Sequence, residues 1–268
     1  MHNNAIVINT VAPIYLKPSK ESEMADEAIY GMIVELEKKT DDFYFVKTRY
    51  DYQGYMHKDD LMSQMEDVIV WENISKHEIC HNLVDVMSAP SYKGHQLKLL
   101  TRGAAIAILN EEKDGWVKVA LACKSQGWIR KDFVREKIIK RKTDENTFRK
   151  SLVDTAYTYL NTQYRWGGRS PLGIDCSGLC SISYLLNGVV IYRDARLKDE
   201  YMKSITMEEA KEGDLLFFPG HVAMYLGNGR FIHSSASING VNLNSLNPED
   251  SDFRKDLKDE LYAIGTIF

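Results

Sequence analysis

YRWGGRSPLGIDCSGLCSIS, residues 164–183, decides how the rest of the chain is read. Gly167, Gly168, Pro171 and Gly173 exclude regular structure ahead of Cys176, whereas Leu179, Cys180, Ile182, Leu185 and Leu186 recur after it at a helix-like period. Cys176 is therefore expected to open a helix. Unpaired backbone N–H groups and the positive end of the helix dipole favour thiolate over thiol there, so a lowered pKa and a nucleophilic sulfur are expected. Cys180, one turn further on among apolar neighbours, reads as a small core residue.

On either side of this stretch the pattern is consistent. Phe148, Leu152, Val153, Ala156, Tyr157 and Leu160 fall on one face of a helix that the polar cluster at 143–146 could cap. Asn187-Gly188 is a plausible stop for the cysteine helix, and residues 193–203 are expected to form another short helix. From Gly213 onward GDLLFFP, HVAMYLG, GRFIHSS, VNLNSL and LYAIGTIF are short, β-rich and separated by Gly, Asn or Pro. Helices first and a mostly antiparallel sheet after them make an α+β domain.

Two histidines lie in these strands, His221 and His233, with Gly227-Asn228-Gly229 as the hairpin signal between them. A two-residue turn at Asn228-Gly229 would pair Gly227 with Arg230 and send the imidazoles to opposite faces. A three-residue Gly-Asn-Gly loop pairs Leu226 with Arg230, and both histidines then share a face as diagonal neighbours. The second arrangement is expected. With the thiol it supplies a nucleophile, a base (His221) and a group that fixes the tautomer of the base (His233). Cys176, Cys180 and the two histidines also have the ligand count of a Cys2His2 zinc site, but their spacing matches no common zinc pattern. No metal and no cofactor are expected.

The first 137 residues hold short β-branched and aromatic runs broken by turn residues, and they repeat. Gly31, the run Ile33, Val34, Leu36, then Phe43 to Lys47 and Gly54-Tyr55 to Leu61 form one copy. Gly103, the run Ile106, Ile108, Leu109, then Gly115 to Val119 and Gly127-Trp128 to Phe133 form the other, an offset of 127 − 54 = 73 residues. Such a length implies two domains of one type rather than a solenoid. The pattern resembles the bacterial SH3-like domain, a small barrel; the first copy has Tyr55 in place of its Trp. Ser22-Glu23-Met24 and the loop from Tyr50 to Gly54 give the first copy a carboxylate and aromatic hydroxyls at loop positions. The polar stretch IIKRKTDENT at 138–147 marks the boundary, so the chain is divided into 1–64, 65–138 and 139–268.

A net charge of 34 − 38 = −4 without long basic runs gives no electrostatic case for nucleic acid or anionic membrane. MHNNAIVINTVAP lacks a signal-type pattern and no segment is apolar enough to span a bilayer, so a cytoplasmic location is expected, or export if a signal has been removed. Four cysteines, at 80, 123, 176 and 180, form no disulfide framework, which fits a reducing compartment.

W-G-G followed by D-C-S-G, then G-D-L-x-F-F-x-x-x-H-V-x-x-Y-L-G, then F-I-H, resemble the NlpC-type papain-like cysteine peptidases of bacterial cell-wall metabolism over residues 148–268. The resemblance implies two small all-β SH3-like barrels followed by an α+β papain-like catalytic domain, with Cys176 as nucleophile, His221 as base and His233 as the third polar member. Two SH3-like domains ahead of it are similar to the subgroup that cleaves after γ-D-glutamate in short murein peptides, before the diamino acid. In that subgroup the first SH3-like domain closes one end of the cleft, so that only peptides with a free amino-terminal L-Ala fit. By the same resemblance Glu23 and Tyr52 are candidates for the amine, and Asp175 and Ser177 for substrate contacts beside the nucleophile. The expected partners are small murein-derived peptides, acted on by a monomer. A non-catalytic wall-peptide-binding protein, and an amidase or transpeptidase on the same fold, are the alternatives.

Overall fold

The 73-residue repeat becomes one sheet topology built twice. The computed structural model describes residues 3–141 and 143–268; Met1 and His2 of the amino-terminal stretch and Lys142 of the boundary stretch lie outside the described residues. The chain divides into two units, Met1–Lys137 and Ile138–Phe268. In the first unit β1 (Asn4–Val7), β2 (Val11–Tyr15), β3 (Met24–Ile29), β4 (Ile33–Thr40), β5 (Phe43–Thr48), β6 (Gln53–His57) and β7 (Leu61–Met62) pair in the order β3-β2-β6-β5-β4-β1-β7. After helix α1 (Met65–Ile74), strands β8 (His77–Ile79), β9 (Leu83–Met87), β10 (Gln96–Thr101), β11 (Ala105–Lys113), β12 (Trp116–Ala120), β13 (Gln126–Arg130) and β14 (Val134–Glu136) follow. Their order, β10-β9-β13-β12-β11-β8-β14, is the same with every strand advanced by seven.

The glycine of each Gly-aromatic pair is a packing requirement. A Cβ on Gly54 would lie 2.5 Å from Ile14 Cγ2 and 2.8 Å from the Tyr15 carbonyl; on Gly127 it would lie 2.4 Å from Val86 Cγ1 and 3.0 Å from the Met87 carbonyl. Both copies thus bring two backbones together at the same crossing. The copies also share hydrogen bonds. The Tyr30 carbonyl accepts from the Ala105 N–H at 2.9 Å, its phenol accepts from the Ala122 N–H at 2.7 Å, and Thr10 Oγ1 donates to the Leu99 carbonyl at 2.7 Å. Buried backbone groups that pair across two copies make one unit of them.

Helix α1 corrects the sequence reading, which found no helix in this half. Val68 and Trp71 are buried, and Trp71 Nε1 donates to the Gly31 carbonyl at 3.0 Å. Met65, Ile69, Val70 and Ile74 are apolar as well but exposed, so apolar residues surround the helix and erase the 3.6-residue period.

The second unit is α2 (Glu145–Tyr157), β15 (Arg169–Ser170), β16 (Gly173–Ile174), α3 (Cys176–Leu185), β17 (Lys203–Ile205), β18 (Leu215–Phe218), β19 (His221–Gly227), β20 (Arg230–Ser235), β21 (Gly240–Ser245), α4 (Lys255–Glu260) and β22 (Ala263–Thr266). Asp144 caps α2 by accepting the Thr147 N–H at 3.0 Å. Six strands form an antiparallel sheet in the order β17-β22-β18-β19-β20-β21, and α3 packs on β19 and β20. Arg149 Nη1 donates to Asp214 Oδ1 and to the Glu212 carbonyl, both at 2.8 Å, and Tyr184 Oη donates to the Gly213 carbonyl at 2.6 Å. These bonds fix α2 and α3 to the corner that precedes β18.

Three local expectations are corrected. Residues 193–203 form bends and turns up to β17, not a helix: Ile191, Arg193 and Met202 are buried and the charged residues between them are not, a spacing that no single helix face provides. The loop ahead of Cys176 contains the small β15–β16 hairpin, with Arg169 opposite Ile174. The β19–β20 turn is the two-residue one, Asn228-Gly229, both at positive φ, with Gly227 opposite Arg230. A bulge then shifts the register between Tyr225 and Gly227, so Tyr225 faces Phe231 and Met224 faces Ile232. The extra residue, Leu226, reverses the alternation and returns the two histidines to one face. No helix among the described residues is long and apolar enough to cross a membrane.

Gly127→Ala is expected to lower the unfolding free energy by about 1–3 kcal/mol through overpacking against Val86. Urea denaturation followed by Trp fluorescence measures this, and an unchanged midpoint would contradict the close crossing.

Candidate active site

The site starts from the glycines of the motif. A Cβ on Gly178 would lie 2.1 Å from the Gly168 carbonyl, and one on Gly168 would lie 2.4 Å from the Gly173 carbonyl. Only bare backbone lets the loop nest against the first turn of α3. Asp175 is the N-cap, extended at φ −92° and ψ 178°, and its Oδ1 accepts the Gly178 N–H at 2.5 Å. Cys176 is thereby the first residue of the helix, as the sequence implies, but its side chain is only 7 % exposed.

Arg193, 2 % exposed at its side chain, holds this arrangement from outside the motif. Its Nη1 donates to Asp175 Oδ1 at 3.1 Å and to Ser177 Oγ at 2.7 Å; its Nη2 donates to Asp175 Oδ2 at 3.1 Å, to the Gly167 carbonyl at 3.1 Å and to the Gly168 carbonyl at 3.4 Å. Asp175 and Ser177, candidates for substrate contact, are buried and bonded to this guanidinium. Sequence reasoning missed Arg193: an arginine amid charged residues has no signal that distinguishes it from solvated surface.

The other half of the site lies at the start of β19. The Cys176 thiol lies against the backbone N–H of Val222, the residue that follows His221. His221 Nε2 and His233 Nδ1 are 2.7 Å apart, and His233 Nε2 is 2.9 Å from Asn244 Oδ1. Asn244 Nδ2 in turn donates to the Asp252 carbonyl at 2.9 Å. His233 is fully buried and packed edge-on against Phe231, with ring centroids 5.0 Å apart. Tyr164 adds a phenol that burial, then the charges of Cys176 and Asp175, push up to about 12, so it remains an O–H donor. Neither Asn244 nor Tyr164 was singled out from the sequence.

Burial decides the resting charge. It pushes the Cys176 thiol up to about 11, with the Asp175 carboxylate adding to the shift, and it pushes His221 down to about 3 and His233 down to about 4. The lowered thiol pKa expected at the helix terminus is therefore corrected. A helix end contributes about 0.3–1 kcal/mol, up to ~2 when partly buried, whereas desolvation shifts buried groups by several pKa units. The Asp175 cap also takes the Gly178 N–H that could otherwise serve a thiolate.

Of the remaining candidates, Glu23 and Tyr52 belong to the first unit. Tyr52 is half-buried and its phenol donates to the Ala25 carbonyl at 3.3 Å, two residues beyond the exposed Glu23. Among the described residues, no group of three or more His, Cys, Asp or Glu converges to hold a metal ion, and Cys176, Cys180, His221 and His233 form no such cluster. A pocket next to the first turn of α3 is lined in part by Ser177, Cys180, Asp194, Arg196, Lys198 and Val222.

Alkylation of Cys176 by iodoacetamide, mapped by peptide mass spectrometry, is expected to rise about tenfold per pH unit from roughly pH 6 to pH 9, as for a protonated thiol. A plateau across that range would show a preformed thiolate–imidazolium pair instead.

Residues 161–254 match the NlpC/P60 family, and residues 14–61 match the bacterial dipeptidyl-peptidase Sh3 domain. The chain is 40 % identical to Dipeptidyl-peptidase 6 of Lysinibacillus sphaericus, over 99 % of this chain and 100 % of that protein. It is 35 % identical to the Gamma-D-glutamyl-L-lysine dipeptidyl-peptidase of Bacillus cereus, over 36 % of this chain and 31 % of that protein. A crystal structure of an NlpC/P60 family protein from Bacillus cereus shares the fold at TM-score 0.84 and 20 % identity, over 98 % of this chain and 99 % of that one. A cysteine at a helix start, against the strand that begins with one of two hydrogen-bonded histidines, is thus found in a chain that resembles such a protein from end to end, and the chain belongs to the NlpC/P60 family of cysteine peptidases, with an SH3-like domain ahead of the peptidase domain.

Proposed function

We propose that this enzyme hydrolyses the bond between γ-D-glutamate and the following diamino acid in short murein peptides that carry a free amino-terminal L-Ala. The observation that carries the chemistry is the buried thiol at the start of α3, next to the strand whose first residue, His221, is hydrogen-bonded to His233. Cys176 sulfur attacks the γ-carbonyl carbon while His221 takes the thiol proton. The C–N bond then breaks as His221 returns that proton to the leaving amine, which gives a thioester and the free diamino acid. Water, deprotonated by His221, attacks the thioester; the acid product leaves and the thiol is restored. The Val222 N–H, which lies against the sulfur, and the Tyr164 phenol, close enough to feel the charge of Cys176, are neutral donors suited to the oxyanion that develops.

The substrate class rests on two supports. The relatives' names specify dipeptidyl-peptidase and γ-D-glutamyl-L-lysine dipeptidyl-peptidase activities. The pocket beside Ser177 and Val222 carries two cations, Arg196 and Lys198, and one carboxylate, Asp194, a net positive lining that suits a substrate with more carboxylates than amines. Within the same proposal the two sheets of the first unit are SH3-like barrels and the second unit is a papain-like α+β catalytic domain. Glu23 and Tyr52 are proposed to recognise the free ammonium, because an ammonium needs a carboxylate and acceptor oxygens. Recycling of wall peptides in the cytoplasm completes the proposal, and cell fractionation tests that location.

The test is hydrolysis of L-Ala-γ-D-Glu-meso-diaminopimelate, of its L-Lys counterpart, and of an N-acetylated version of each. Release of L-Ala-γ-D-Glu is expected, abolished by Cys176→Ala and largely retained by Cys180→Ser. A charge-assisted contact is worth about 1.5–3 kcal/mol, so acetylation should lower kcat/KM by at least about tenfold, and Glu23→Ala should remove most of that preference. No cleavage of either free peptide would overturn the proposed substrate. Equal rates on free and acetylated peptides would overturn the role given to Glu23 and Tyr52.

A further inference from the structure

The hydrogen-bond chain behind the histidines ends on an atom whose role is not adjustable. The Asp252 main-chain carbonyl can only accept, so Asn244 must direct its NH2 at it, at 2.9 Å, and must present Oδ1 to His233 Nε2, also at 2.9 Å. An amide oxygen can only accept, so His233 Nε2 carries the proton. A neutral His233 then has a bare Nδ1, which can only accept from His221 Nε2 at 2.7 Å. The proton of a neutral His221 is thereby on Nε2 and its Nδ1 is left bare, the one ring nitrogen able to take the thiol proton. Asp252 is itself fixed: Arg230 grips its carboxylate at 2.8 and 3.2 Å, and its carbonyl also accepts the Ser245 N–H at 3.2 Å.

We propose that Asn244 is the positioning residue of this site, which orders the protons along the histidine pair and makes Nδ1 of His221 the base. The inference rests on the reading of His221 as the base. Asn244 is half-buried on β21, diagonal to His233 across the β20–β21 ladder, where His233 faces Asn242 and Phe231 faces Asn244. Without its oxygen the chain can run in reverse, with His233 Nδ1–H donating to His221 Nε2. That tautomer places the His221 proton on Nδ1, where it blocks attack. Both arrangements satisfy the His–His bond, so a group at an end of the chain must choose between them, and the side chain hydrogen-bonded there is Asn244, at the His233 end. The charged groups that act on the pair are Arg254 and Asp256, themselves joined by a bond of 2.8 Å between Arg254 Nε and Asp256 Oδ1. Neither offers a proton acceptor in the chain, and both low histidine pKa values fit a pair that rests neutral.

The experiment uses the full chain and two variants, Asn244→Leu and Asn244→Asp, with three readouts. Long-range ¹H–¹⁵N spectra of the histidine rings give the tautomer directly and need no substrate. In the unmodified protein both rings should be Nε2–H; in Asn244→Leu the pair should show mixed or reversed tautomers. On the free murein tripeptide, Asn244→Leu should lower kcat at least about tenfold while KM stays within about twofold, since a wrong tautomer is lost in the transition state and not in binding. Asn244→Asp keeps an acceptor for Nε2–H and the wild-type shape, so it should retain the tautomer. Its added negative charge raises the histidine pKa values, which moves the acidic limb of kcat/KM to higher pH. A single Nε2–H tautomer with wild-type kcat in Asn244→Leu would overturn the proposal, as would Asn244→Asp with its acidic limb unmoved. If Asn244→Leu does not fold, Asn244→Asp decides. If no murein peptide is cleaved at all, the ring spectra and the rate of Cys176 alkylation still decide the role of Asn244 apart from the substrate assignment.

Discussion

A buried guanidinium holds the loop ahead of Cys176 and the helix that Cys176 opens together. Arg193 bonds to both oxygens of Asp175, to Ser177 and to the carbonyls of Gly167 and Gly168, and so ties the W-G-G turn, the helix cap and the residue after Cys176 to one rigid group. Taking a guanidinium and a carboxylate out of water costs several kcal/mol per ion unless geometry and hydrogen bonding offset it. Here the fork has five partners, which is the condition under which such a pair is tolerated. Removing Arg193 takes the guanidinium away from the buried Asp175 carboxylate, a loss of about 3–5 kcal/mol, and frees the loop that Gly178 and Gly168 nest against.

This constraint and burial together set the electrostatics of Cys176. Burial and the Asp175 carboxylate disfavour a thiolate at Cys176, and they outweigh the Val222 and Ser177 N–H groups and the Arg193 charge, which favour it. Burial thus favours the neutral thiol and the neutral imidazoles. In the proposed mechanism, reaction then depends on proton placement rather than on a standing charge. A neutral imidazole is a base through one nitrogen only, which gives the chain from His221 through His233 to Asn244 its importance.

Much of this was legible in the sequence, and the exceptions have physical causes. Glycines before Cys176 and apolar periodicity after it specify the loop and the helix, because nothing else satisfies both patterns. The repeat was visible through Gly54 and Gly127 because a close backbone crossing admits no side chain. The shared histidine face was legible, but the route to it was not: a bulge at Leu226 and a two-residue turn give the same register beyond the turn as a three-residue loop. Helix α1 was hidden because Met65, Ile69, Val70 and Ile74 are apolar and exposed. Arg193 and Asn244 were hidden for a different reason. Each acts through contacts distant in sequence, to residues 16–26 and 8–11 positions away, and neither leaves a local pattern.

The central claim is that Cys176 attacks the γ-glutamyl carbonyl and carries the acyl group before water does. Mixing the enzyme with L-Ala-γ-D-Glu-diamino acid peptide, quenching in acid within a turnover and measuring intact and peptide masses tests it directly. The account predicts a transient adduct with the mass of the L-Ala-γ-D-Glu acyl group on the peptide that contains Cys176, lost as product accumulates. Product formation with no adduct in Cys176, or an adduct on Cys180, Cys80 or Cys123, would contradict it.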